Sequence, residues 1–381
     1  MSSVYLDHNA TTSLDSHVLE AMLPWMKAQA GNPTSRHIFG RTARTAIEHA
    51  RAQVAEACGA YTSQVVFTAS GTEANNFAVR GMTANQDAAQ ILYSAIEHPC
   101  VSRPAAALKQ YGYKSQSIAV NGQGRLETAH LALLLEKPAN LVSVMLANNE
   151  TGVIQDIAQI AEQVRRSGSL MHTDAVQGLG KLALSFTDLN VHAMTVSSHK
   201  INGPQGAAAL ILDKRVDIQP LLYGGGQERG LRSGTENVAA IIGFGMACEL
   251  AAANQSNFAS HTRALRDAFE QGLRSLDAQI FSDQVARIPN TSFFAVNGIE
   301  GETLVTALDR KGFAVASGSA CSSDSTEPSH VLLAMGVGHD LARGAVRVSF
   351  GSHNTLQQVS GLLDALKSEV LRLRQLTGVT A

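Results

Sequence analysis

Residues 192–212 read HAMTVSSHKINGPQGAAALIL, two short apolar runs with Lys200 between them, beside His199 and ahead of Gly203-Pro204. Runs this short, with no polar alternation, read as strands buried on both faces. The same texture recurs on both sides. VVFTAS (65–70) precedes TEANNFAVRGM, ILYSAI (91–96) precedes PCVSRPAAALKQYG, LVSVML (141–146) precedes DIAQIAEQVRRSG, and LMHTDA spans 170–175. Buried strands that alternate with helical patterns imply a largely parallel sheet covered on both faces, so the chain is expected to be α/β.

At 381 residues the chain exceeds the ~250–300 residues at which single cores stop growing, so two domains are expected. From about Asn254 the pattern changes to HTRALRDAFEQGLRSL, NTSFFAV, ETLVTALDRKG, FAVASGSAC, GAVRVSFG and a last helix from Thr355, as in a smaller α+β domain. The polar stretch ANQSN places the boundary near 254–258, between a large domain of residues 15–256 and a small one of 257–381. Apolar residues make up 45% and charged residues 16%, which argues against disorder. Net charge is −2 with Lys and Arg dispersed, so no nucleic-acid partner is expected.

The opening MSSVYLDHNATT lacks a basic, apolar leader. The longest apolar run, AAIIGFGMAC (239–248), ends at Glu249, so neither export nor a membrane span is expected. Cys58, Cys100, Cys248 and Cys321 are far apart and form no CxxC pair, which fits a reduced cytoplasmic protein with no disulfide and no metal site. The first three read as packing residues; Cys321 sits in the small, polar setting SGSACSSDS.

In an open α/β sheet the ligand crevice lies beyond the carboxyl ends of the strands. The polar residues that follow the apolar runs are Ser70-Gly71-Thr72, Glu97-His98, Asn148-Asn149-Glu150, Asp174 with Gln177, and Ser197 to Lys200. Singly, each has an ordinary reading: Ser/Thr before Glu73 is common helix-capping chemistry, Asp174 could be half of an ion pair, and most lysines are solvated. Neither GxxxxGK[ST] nor a GxGxxG fingerprint is present to explain the glycines. Pyridoxal phosphate requires the whole set together: a lysine for a Schiff base, an acid for the ring nitrogen, a helix N-terminus for the phosphate and a flat group against the ring. Lys200, Asp174, Gly71-Thr72 and His98 supply those parts in that order.

The motifs YLDHNATT, SGTEANN, EHPCV, NNETG, DAVQG, SSHKINGPQG, GGGQERGLRSGT, SGSACSS and RVSFG occur in the order and approximate spacing of the cysteine desulfurases. The chain thus resembles the NifS/IscS type of the class V aminotransferase family from Tyr5 to Gly351. The resemblance implies a fold-type I pyridoxal phosphate enzyme and homodimer that converts L-cysteine to L-alanine, leaving the sulfur as a persulfide on Cys321 for a protein acceptor. It implies that residues 1–14 pack with the small domain, which carries the Cys321 loop. Lys200 would be the Schiff-base lysine, Asp174 the pyridinium partner, Gln177 a ligand of the ring hydroxyl and His98 the stacked proton relay. Thr72, Ser197, His199 and Thr235 would bind phosphate, Thr235 in the neighbouring subunit. Asn149 would lie by cofactor and substrate, and Arg347 would hold the substrate carboxylate.

Two departures stand out. The family usually reads Ser-Gly-Gly or Ser-Gly-Ala before the threonine, whereas this chain has Ala69-Ser70-Gly71-Thr72. The chain also stops soon after LRLRQL, short of the longer tail of relatives that feed iron–sulfur scaffolds, which leaves the acceptor open. A selenocysteine lyase or a class V aminotransferase would reuse Lys200 and Asp174, although an aminotransferase needs no mobile thiol. A sulfur-carrier or scaffold module would leave both residues idle.

Overall fold

The computed structural model of the protein describes residues 3–28, 30–318 and 327–377. After a short β1 (Val4–Tyr5), seven strands form the central sheet: β2 (Val65–Thr68), β3 (Gln90–Ser94), β4 (Lys114–Ile118), β5 (Leu141–Ser143), β6 (Leu170–Asp174), β7 (Ala193–Ser197) and β8 (Ala208–Leu212). Their order is β2-β8-β7-β6-β5-β3-β4. All pairings are parallel except those of β8, which runs antiparallel to both β7 and β2. The reason lies in the connection. Only residues 198–207 separate β7 from β8, and a parallel return needs a crossover of roughly a dozen residues or more.

Strands β5, β7 and β8 are buried at every residue, as their unbroken apolar sequences require. Strand β4, KSQSI, is absent from the hydropathy pattern because it is a partly exposed edge strand with polar side chains. Since the other six strands point one way, the residues that follow β2, β3, β5, β6 and β7 emerge along a single edge of the sheet.

The C-terminal elements include β9 (Ala278–Ile280), β10 (Thr291–Val296), β11 (Phe313–Ala314), β12 (Ala316–Ser317) and β13 (Ala345–Ser349). Four of them form an antiparallel sheet in the order β12-β13-β10-β9, while β11 pairs in parallel with β1. Leu6 joins Phe269, Phe294, Val348 and Phe350 in a second apolar core, so the first residues of the chain pack with its last third.

The boundary expected in ANQSN falls inside a helix, with no linker between the two cores. One helix runs from Val238 to Arg274 straight through residues 254–258. Its first half buries Ile241, Phe244, Ala247 and Cys248 in the large core, and its second half buries Leu265, Phe269 and Leu273 in the second core. The polar residues between them are the solvent-facing turns of one helix, not a break in it. Among the described residues this is the one helix long and apolar enough, by length and composition, to cross a membrane. Its apolar side chains face protein instead. The helix also fixes the turn after Lys200, since a Cβ on Gly203 would stand 2.9 Å from the Ala247 Cβ and 2.1 Å from the Ser198 Oγ.

Ser256 is exposed on this helix, so Ser256→Pro isolates backbone continuity from side-chain contacts. We expect it to cost about 3 kcal/mol or more in chemical denaturation, where a flexible linker would tolerate the change.

Candidate functional site

Nine of the ten expected cofactor residues line one cavity of about 360 Å³: Gly71, Thr72, His98, Asn149, Asp174, Gln177, Ser197, His199 and Lys200. Arg347, the expected substrate residue, lines it as well. Thr235 does not. It is exposed on the loop after Gly234 and is not among the lining residues. Cys321 lies outside the described residues. A second cavity, of about 410 Å³, lies between His8, Lys181, Asn254 and His353, and Lys200 borders both. The groups suited to hold a cofactor converge in the smaller one.

Each side chain owes its place to a strand end. Asp174 is the last residue of β6 and is buried; its Oδ1 accepts the Val176 N–H at 2.9 Å and its Oδ2 accepts the Asn75 Nδ2 at 2.7 Å. Ser197 ends β7, and the next three residues form a turn that carries Lys200. The Lys200 Nζ donates to the carbonyls of Asn9 and Ala10, both at 2.6 Å. His98 follows β3 and caps the helix Pro99–Ala107, its Nδ1 accepting the Cys100 N–H at 3.2 Å. Burial lowers the pKa of His98, Asp174 opposing the shift and Lys200 adding to it. His199 is lowered to about 4, by burial first and then by Lys200, and its Nδ1 lies 3.2 Å from the Thr11 Oγ1.

At 70–72 the shifted glycine has a simple outcome. Ser70 is the N-cap and accepts the Glu73 N–H at 3.1 Å, so Gly71 becomes the first helical residue. A Cβ there would stand 3.2 Å from the Val176 Cγ2 and 3.6 Å from the Ser197 Cβ. Its absence leaves a hollow beside the Ser197 Oγ, a buried hydroxyl with no hydrogen-bond partner among the described residues. An orphaned hydroxyl at such a place suits an anionic oxygen.

Arg347, at the centre of β13, is buried and already engaged. Its Nη2 donates to the Asp7 Oδ1 at 2.6 Å and its Nη1 to the Asn149 carbonyl at 3.1 Å, while its Nε has no partner among the described residues. Gln177 does not stand alone either: its Nε2 donates to the Asn9 carbonyl at 2.9 Å and its Oε1 accepts the Lys181 Nζ at 2.6 Å. Burial holds Lys181 well below the usual lysine range, with Lys200 and Arg347 adding to the effect. Glu97, one residue before His98, is pushed well above the carboxylate range by burial and then by Asp174; its Oε1 accepts the Met145 N–H at 2.5 Å.

Sequence reasoning missed Asn9, Asn75 and Cys100 as lining residues and Lys181 behind them. Asn9 and Asn75 sit inside the quoted motifs YLDHNATT and SGTEANN, and the depth of Asp174 was the signal that a donor had to face it. Cys100 read as packing; its Sγ instead lies 2.9 Å from the His98 Nδ1 and 3.0 Å from the Asn75 Nδ2.

The donor set fits pyridoxal phosphate: an amine at one end, a buried carboxylate held by two donors, an imidazole between, and a helix start with an unpaired hydroxyl. The class V aminotransferase model matches residues 4–362. A cysteine desulfurase of Trichormus azollae is 40% identical over 380 residues, 99% of this chain and 95% of that protein. Among solved structures, a NifS-like protein superposes with a TM-score of 0.91 at 36% identity, covering 97% of this chain and 100% of the other. SspA in complex with cysteine superposes with a TM-score of 0.82 at 30% identity, covering 92% and 99%. Sharing nearly its whole length with these proteins, and a sheet-edge cavity suited to their coenzyme, the chain belongs to the class V aminotransferase family of pyridoxal phosphate enzymes.

Proposed function

We propose that the protein is a cysteine desulfurase that converts L-cysteine to L-alanine and retains the sulfur as a persulfide on Cys321. One observation carries the reading: Lys200, Asp174, His98 and Arg347 meet in one cavity of a chain that matches a cysteine desulfurase over 99% of its length. A neighbour solved with cysteine supports the substrate. These likenesses do not favour the selenocysteine lyase and aminotransferase readings.

When bound, the cofactor supplies an electron sink for the charge left at the substrate α-carbon. Lys200 would hold it covalently, and its amine, when free, would take the α-proton. Asp174, fixed by Val176 and Asn75, keeps a negative charge at the ring nitrogen. Thr72, Ser197 and His199 would receive the phosphate in the space that Gly71 leaves, and Gln177 would take the ring hydroxyl. Asn149 borders cofactor and substrate, and Arg347 turns from Asp7 to the substrate carboxylate, a planar task suited to guanidinium. His98 would lie against the ring and hold a proton there.

The Cys321 thiolate attacks the substrate sulfur. An S–S bond forms and the substrate C–S bond breaks, its electron pair staying with the β-carbon, which takes up a proton to give alanine. Strand β12, whose Ala316 pairs with Arg347, ends at Ser317, just ahead of Cys321 in the sequence, which supports the assignment. Thr235 would complete the phosphate site of a second copy in a homodimer, which accounts for its exposure. A protein acceptor, in iron–sulfur cluster assembly or another thiolation pathway, would take the sulfur in the reducing cytoplasm.

Three variants test these roles. Lys200→Ala is expected to lose the covalently attached cofactor by intact mass and to form no alanine. Cys321→Ala should keep the cofactor's absorbance yet lose sulfide release from cysteine by on the order of 100-fold or more; undiminished release would refute the nucleophile. Arg347→Lys should raise KM for cysteine about tenfold or more while cofactor content stays unchanged, as measured by alanine formation and absorbance.

A further inference from the structure

Cys100 has no part in the scheme above and Asn75 only steadies Asp174, yet both border the cavity and touch its catalytic groups. The Asn75 amide can be oriented without ambiguity. The carboxylate of Asp174 only accepts, so the atom 2.7 Å from its Oδ2 must be the amide nitrogen. The other N–H of that nitrogen points to the Cys100 Sγ at 3.0 Å and occupies a sulfur lone pair. Burial, with Asp174 next, pushes the Cys100 thiol up, so it carries its proton at neutral pH. The His98 Nδ1 lies 2.9 Å from that sulfur, placed to accept its S–H, and also receives the backbone N–H of Cys100 at 3.2 Å.

Two donors therefore converge on one ring nitrogen. We propose that Cys100, oriented by Asn75, is a positioning residue that fixes neutral His98 with its proton on Nε2, so that the imidazole enters the reaction as a hydrogen-bond donor and not as a base. Moving the proton to Nδ1 would set it against both the S–H and the backbone N–H. Among the described residues, the charged and titratable groups acting on the ring agree with a neutral imidazole: Lys200, His330 and Arg103 oppose its protonation together with burial, and Asp174 favours it. Abstraction of the α-proton is left to Lys200. The inference deepens the desulfurase reading and rests on it for the reaction His98 serves, but the ring's tautomer can be read without any turnover.

The experiment is imidazole NMR of holoprotein labelled with ¹⁵N-histidine, with His98→Gln used to assign the signal. Wild type is expected to show an unprotonated Nδ1 and a protonated Nε2 at His98. Cys100→Ala, which keeps only the backbone donor, should show a mixture of tautomers, and Cys100→Ser should restore the single form. In alanine formation, kcat of Cys100→Ala should fall about three- to tenfold at unchanged KM, the size of one lost hydrogen bond, and recover in the serine variant. A wild-type signal with the proton on Nδ1, or a Cys100→Ala spectrum identical to wild type, overturns the proposal. The wild-type spectrum decides even if the variants fail to fold. Were the protein to form no alanine while the tautomers behave as expected, the desulfurase reading would fail and the positioning role would stand.

Discussion

Every hydrogen-bonding group of Asn9 ties together segments that lie far apart in the sequence. Its amide nitrogen donates to the Asn149 carbonyl and the Thr291 Oγ1, and its Oδ1 accepts from Lys181 and Asn290. Its main-chain oxygen receives Lys200 and Gln177, and its main-chain N–H donates to the Ser349 Oγ. This one buried residue joins the turn after β7, the helical turn after β6, the loop after β5 and two strands of the small sheet. An unpaired amide at such depth would cost several kcal/mol, so each of these segments has to arrive at its place for the others to stay there.

The cation-rich side of the cavity follows from the same arrangement. Lys181, Lys200 and Arg347 all come close to the first ten residues, where Asp7 forms an ion pair with Arg347. Burial lowers Lys181 so that it need not carry its charge there, and its Nζ still orients Gln177 and Asn9. Neutral donors and carbonyl acceptors thus satisfy much of the polar lining, which keeps the cost of assembling basic groups in one interior low.

Much of this was legible in the sequence, for a physical reason. Strands β5, β7 and β8 are covered on both faces, so their sequences show unbroken apolar runs, and the residues just past such runs are at the functional edge by geometry. Strand β4 was illegible because an edge strand needs no apolar sequence. The reversal of β8 required attention to the shortness of the connection after Lys200 instead of the runs themselves. The helix through ANQSN was not legible, because polarity marks a helix's outer face as readily as it marks a loop. Asn9, Asn75 and Cys100 escaped for another reason: an amide or a thiol inside a helical or turn pattern looks like capping or packing until its partners are known. Thr235 is the reverse case, a residue named by a motif that stands exposed and outside the cavity.

The pairing of β1 with β11, and the bond from Asn9 to Ser349, 340 positions later, also bear on how the protein is made. On the ribosome, residues 4–8 leave the exit tunnel long before β11 and the closing strands of the small sheet that receive them. The wall over Lys200 therefore forms last, so a nascent chain can fold its central sheet and still be unable to shelter its coenzyme. Trimming a dozen residues from the amino end by a protease would return the finished enzyme to that unfinished condition.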